Sequence, residues 1–138
     1  MHVPEESDTP PLSVQRVRRV LSARQIEYLT AESGDTGVEF DDVTCWISVG
    51  VDVLTIRADW PGTLPIDRLE DVRTLLRRWH AEHYWPTASF GVRDDGSVTV
   101  SAQCAYDFES GAADRQIDSA AAMSCAKINE LFREVSAL

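Results

Sequence analysis

The stretch from Asp52 to Phe90 constrains this chain most, because a strand, a helix and the start of a second strand follow one another there with almost no slack. Val53 to Trp60 alternates apolar and polar residues, so that Leu54, Ile56, Ala58 and Trp60 share one face, as in a half-buried strand. Pro61 and Pro65 interrupt the pattern. From Ile66 to Tyr84, the residues Leu69, Val72, Leu76, Trp79, His80 and His83 recur at spacings of three and four, which predicts an amphipathic helix. Trp85-Pro86 ends that helix, since a residue before proline is pushed out of the α region, and Ala88, Phe90 and Val92 open the next strand.

The flanking segments fit around this unit. Ser13 caps a helix running to about Arg24, with Val14, Val17, Val20 and Leu21 inward and Arg16, Arg18, Arg19 and Arg24 mostly outside. Ile26, Tyr28 and Thr30 alternate as a short strand, and the turn-rich run Ser33 to Gly37 leads into Val38-Glu39-Phe40. After Asp41-Asp42, the residues Val43, Cys45, Ile47 and Val49 form the apolar side of another strand, which leaves Trp46 on its polar side as a candidate contact residue. Asp94-Asp95-Gly96 marks a hairpin, because glycine tolerates the positive φ such a turn demands. Beyond it Val98, Val100, Ala102, Cys104 and Tyr106 share one face and Ser97, Thr99, Ser101 and Gln103 the other, the pattern of a sheet packed on one side only. Asp114 opens a last helix with a stripe of Ile117, Ala120, Ala121, Ser124, Ile128, Leu131, Phe132 and Val135, whose small members suit close approach by another helix. Residues 1–11, rich in proline and acid, read as a flexible tail, and residues 12–138 as a single domain.

A chain of 138 residues with 43% hydrophobic content can close one ordinary core. Its net charge of −10 opposes nucleic acid and anionic lipid as partners. Neither a secretory leader nor a run of about 20 apolar residues is present, so the expected location is the cytoplasm. Lys127 is the only lysine beside twelve arginines, a bias that a GC-rich bacterial genome would produce. Cys45, Cys104 and Cys125 are odd in number and too widely separated for a metal knuckle, so buried reduced thiols are expected.

Few chemical motifs are present. His80 and His83 lie three apart with Glu82 between them, the weakest pattern that raises the question of zinc. A metalloprotease helix instead sets its histidines four apart, with glutamate directly after the first. Asp41-Asp42 and Asp94-Asp95 are explained by turns, and Glu70-Asp71 by the positive end of a helix dipole. No Gly-x-Ser-x-Gly elbow or phosphate-cradling glycine pattern occurs. Neither catalysis nor a cofactor is expected.

Several segments together resemble one family. They are the opening helix Val14-Gln15-Arg16-Val17, the strand end Arg57-Ala58-Asp59-Trp60-Pro61, the Trp85-Pro86 step through Thr87-Ala88, the turn Val92 to Gly96, the Asp107-Phe108 to Gly111 step, and the helix end Leu131-Phe132. In this order they resemble the YbjN family of small bacterial proteins, whose fold is similar to that of type III secretion chaperones. Arg78-Trp79-His80 stands where the family usually carries Asn beside its tryptophan. The resemblance implies an α+β domain of order α-β-β-β-α-β-β-α, an antiparallel sheet with helices on one face. It also implies a non-enzymatic module, often a homodimer, that offers a sheet face and helix flank to a protein partner. The candidate contact residues on this chain are Trp46, Trp60, Trp79, Trp85 and Tyr106. The competing expectation is a small-ligand pocket or enzyme site between the middle helix and the sheet, lined by Trp60, Trp79, His80, His83 and Tyr106.

Overall fold

The computed structural model describes residues 9–138. Helix α1 spans Val14–Ala23, followed by strands β1 (Leu29–Thr30), β2 (Thr36–Phe40), β3 (Val43–Val49) and β4 (Val53–Asp59). A 3-10 turn at Ile66–Arg68 leads into α2 (Leu69–Glu82), then β5 (Thr87–Val92), β6 (Val98–Asp107) and α3 (Asp114–Ser136). The six strands form one sheet in the order β1-β2-β3-β4-β6-β5, and every neighbouring pair is antiparallel. Four strands precede the middle helix where the family resemblance implied three, because the Ile26–Thr30 alternation does pair, though only over Leu29–Thr30.

Each strand's period of two separates a dry face from a wet one. Val43, Cys45 and Ile47 of β3, Leu54, Ile56 and Ala58 of β4, and Val98, Val100, Ala102 and Cys104 of β6 are all buried. The helices lie on that face: Arg18 of α1 reaches Thr36, His80 of α2 reaches the start of β5, and Ser124 of α3 meets Tyr106. The small residues of the last helix serve this packing. Ala120 and Ser124 are buried, Ser124 lies beside Cys104, and Cys125 lies beside Cys45, so α3 sits low on the sheet. Ala122, Met123 and Ala126 face outward.

The turns follow local chemistry. Phe40 pairs with Val43 across a two-residue loop in which Asp41 and Asp42 both have positive φ, the conformation of a primed hairpin turn. At the second hairpin Gly96 takes φ +83°, and Arg93 N–H donates to Ser97 O. The middle helix is shorter than its periodicity predicts. His83 is already extended, so His83 and Tyr84 belong to the connection into β5. Its buried stripe is Val72, Leu75, Leu76 and Trp79; His80 is exposed.

Two expectations about the N-terminal region change. The predicted tail lies largely outside the described residues, but its last residues are held: Pro10 and Pro11 carbonyls accept from the Arg16 guanidinium, and Ala112 N–H donates to Pro10 O. Arg16, placed outside by its polarity, is buried, and its Nη2 also bonds Ala112 O and Asp114. Three carbonyls and a carboxylate together offer it more than water would.

Candidate protein-binding site

The five aromatic residues singled out from the sequence do not form one surface. Trp79 is 1% exposed and its indole donates to Pro86 O at 3.1 Å, so it anchors α2 in the core and presents nothing to a partner. Trp46 lies on the helix-free face, in a row of paired positions running Leu29, Gly37, Trp46, Arg57, Gln103 and Thr87. Its ring covers Gly37, where an added Cβ would come within 2.7 Å of it, so Trp46 is half-buried against its own sheet. Trp60, at the end of β4, donates to Ser136 Oγ at 3.0 Å.

Trp85 and Tyr106 do come together. They line a groove of about 280 Å³ between the end of α2 and the middle of α3, with Tyr84, Met123 and Lys127 at its rim. The rings of Tyr84 and Trp85 meet edge-on at 4.9 Å, Trp85 lies 6.0 Å from Tyr106, and Tyr106 stacks at 6.1 Å on Phe108, giving a continuous aromatic row. Tyr106 Oη and Ser124 Oγ are 2.9 Å apart. Burial pushes the Tyr106 phenol above its ordinary pKa, and the Ser124 hydroxyl partly opposes that shift. At the rim Tyr84 is 86% exposed and Met123 63%. Two large side chains left in water beside two half-buried rings form the kind of patch that protein partners cover. The sequence reading missed Tyr84, taken as a helix end, and Met123. The Tyr84-Trp85-Pro86 run was the available signal, since a proline-terminated helix end throws its aromatics onto the surface.

The histidines are committed elsewhere. His80 Nε2 accepts the Ala88 N–H at 2.9 Å, capping a backbone group on the sheet-edge strand β5. His83 stacks on Trp79 at 3.7 Å and lies 3.7 Å from Glu130. Among the described residues no three His, Cys, Asp or Glu side chains are grouped to hold a metal ion. The five residues expected to line a pocket between α2 and the sheet are not brought together: Trp79 fills the core, Trp60 lies elsewhere, and only His83 and Tyr106 share a groove. A cleft of about 410 Å³ does open between α2 and the edge strand β5, lined by Arg73, Leu76, Arg77, His80, Ala88, Ser89 and Phe90. The three cysteines are free and buried. Cys45 is held protonated by its hydrogen bond to Cys125 and by burial, and Cys104 by burial.

With this geometry established, a family model described as "Putative bacterial sensory transduction regulator" matches residues 13–137. The chain belongs to the YbjN family. Among solved structures, it is similar to "YbjN, a putative transcription regulator from E. coli", with a TM-score of 0.78 at 14% identity, covering 91% of this chain and 92% of that one. At that identity the YbjN likeness concerns the fold, and it matches in extent the one-sided antiparallel sheet found here. A weaker likeness, TM-score 0.49 at 13% identity, links 86% of this chain and 98% of the other to the Yersinia pestis type III secretion chaperone SycH, solved in complex with a fragment of YscM2. No curated protein matches by sequence. No helix among the described residues is long and apolar enough to cross a membrane.

Proposed function

We propose that this YbjN-family chain is a non-enzymatic regulatory module that binds a partner protein through the aromatic groove of Tyr84, Trp85, Tyr106 and Met123. The observation that carries the reading is the exposure of Tyr84 and Met123 beside that row of rings. Tyrosine, tryptophan and methionine are the residues interfaces favour, and burying two such side chains would contribute several kcal/mol at about 25 cal/mol per Å². The family description as a regulator of sensory transduction supports a protein target. Lys127 and Glu130, paired at 3.2 Å, place both charge signs at the edge of the groove and suit a mixed polar rim.

The test is a photocrosslinking amino acid at position 84, compared with one at Val51, which is equally exposed but outside the groove. A discrete adduct from position 84 alone, abolished by Met123→Ser with unchanged thermal stability, is the expected result. Identical adducts from both positions would refute it. The reading includes a homodimer acting in the cytoplasm; sedimentation showing only monomer at micromolar concentration would remove the dimer while leaving the groove intact.

A further inference from the structure

A second surface, separate from the aromatic groove and not dependent on it, lies along the outer edge of β5. The two edges of the sheet are unequal. At one edge β1 is only two residues long, too short to template a partner, whereas β5 at the other runs six residues with no proline or lysine to blunt it. The register shows where its backbone points. Val98 exchanges both main-chain hydrogen bonds with Leu64, at 2.7 and 3.0 Å, and Val100 O accepts from Trp60 N–H at 2.8 Å. Both residues thus turn their backbone away from β5, so Val92 and Phe90 opposite them form the non-hydrogen-bonded pairs of the ladder. Their own N–H and C=O groups point outward. Ala88 follows the same alternation, and its outward N–H is taken by His80 Nε2 at 2.9 Å. Phe90 and Val92 have no such cap among the described residues, and both are exposed.

The side chains beside this edge define the partner's chemistry. The cleft between α2 and β5 has an apolar floor of Leu76, Ala88 and Phe90 and a rim of Arg73 and Arg77, with no carboxylate among its lining residues. Arg73 is held by Glu70 at 2.8 Å and lies 5.5 Å over the Phe90 ring. Arg77 is exposed and pairs with no acid among the described residues. Four apart on one helix face, the two arginines repel each other, which favours an anion placed between them. On a chain of net charge −10 this is a local reversal of sign. An extended segment laid along β5 would present every second side chain to the cleft. Glutamate fits there, its methylenes crossing the apolar floor while its carboxylate reaches the rim. A second copy fits poorly, because antiparallel pairing of β5 with itself sets both arginine pairs on one side of the joined sheet. We propose that the outer edge of β5 takes up an extended, glutamate-rich segment of a partner protein as an added strand, hydrogen-bonded to Phe90 and Val92 with its carboxylates on Arg77 and Arg73.

The experiment titrates a capped peptide of alternating threonine and glutamate into the full, isotope-labelled chain and follows the backbone amides of β5 by NMR. Parallel arms use the same peptide with glutamine for glutamate, and the glutamate peptide N-methylated throughout. Saturable shifts are expected, with amide exchange slowed at Phe90 and Val92 but not at Ser89 or Gly91, which already bond to β6. Both control peptides should bind distinctly more weakly, the first for want of charge and the second for want of donors. Arg77→Ala should weaken the glutamate peptide by about fivefold, near the upper end for one exposed ion pair. That residue is exposed and unpartnered, so its removal leaves the fold intact. Overturning results would be absence of saturation, equal binding of either control peptide, or unchanged affinity in Arg77→Ala. Protection of Phe90 and Val92 that rises with chain concentration in the absence of peptide would also overturn it, assigning the edge to a second copy. The groove at Tyr84 takes no part in these readouts, so its failure and this one are separable.

Discussion

Replacing Arg16 by alanine tests how the N-terminal segment is held. The guanidinium donates to Pro10 O at 2.8 Å, Pro11 O at 3.2 Å, Ala112 O at 2.6 Å and Asp114 Oδ1 at 2.8 Å. These bonds are unequal. Asp114 and Pro11 are exposed, so water replaces the guanidinium there at little cost. Ala112 is fully enclosed, and orphaning its carbonyl costs about 1–3 kcal/mol. Removing the buried alkyl stem costs a further ~2 kcal/mol at about 0.8 kcal/mol per methylene. Relief of the guanidinium's own desolvation, including the Nε that has no partner, returns roughly 1–2 kcal/mol. The net loss is about 3 kcal/mol, which in a chain of this length lowers Tm by roughly 10 °C. Urea denaturation should therefore show a lower midpoint at unchanged slope. Arg16→Lys keeps the charge but cannot span carbonyls on two segments, so about half the loss should remain. The exposed Arg19→Ala, on the same helix, should fall within ~0.5 kcal/mol of wild type. If Arg16→Ala matches Arg19→Ala, the claim that this side chain clamps residues 10–11 to the start of α3 is wrong.

Three further outcomes follow from individual sites. Gly111 and Gly96 share nearly the same positive φ, +84° and +83°, but a Cβ at Gly111 would run into the Thr9 and Pro10 carbonyl oxygens, whereas Gly96 faces open space. Gly96→Ala should cost about 1–2 kcal/mol from conformation alone, and Gly111→Ala distinctly more; equal midpoints in urea would show that the N-terminal segment yields freely. Tyr106, raised above its ordinary pKa by burial, contributes stability that is complete below about pH 10 and is lost as pH rises through its folded value. Ser124→Ala should move that titration higher still, because the serine hydroxyl favours the phenolate; an absorbance titration of the chain lacking Tyr28 and Tyr84 reads it, and a downward shift would contradict the assignment. Asp95 accepts from Ser97 N–H and Oγ–H, which lowers its pKa, so its contribution is present above about pH 4 and fades as pH falls through the lower folded value. Carboxyl NMR titration should find Asp95 moved part of the way back toward the ordinary range in Ser97→Ala, and an unchanged midpoint would exclude the Ser97 hydroxyl as the main cause.

Local periodicity by itself determined most of the framework. The alternations in β3, β4 and β6, the capping Ser13, the Asp94-Asp95-Gly96 turn and the stripe of α3 can each be read within a few residues, because a strand or helix repeats its inward direction at a fixed spacing. Side-chain destinations that depend on distant segments could not be read this way. Arg16 looks like one more solvated arginine until residues 10–11 and 112–114 fold against it, and Trp79 looks like a contact residue until Pro86 closes over its indole. Likewise Trp85, Tyr106 and Met123 are separated by about as many residues as the elements between them require, and only the stacking of α3 on the sheet makes one groove of them. Pattern is a property of neighbours along the chain, whereas burial, partnership and cavity shape belong to neighbours in space.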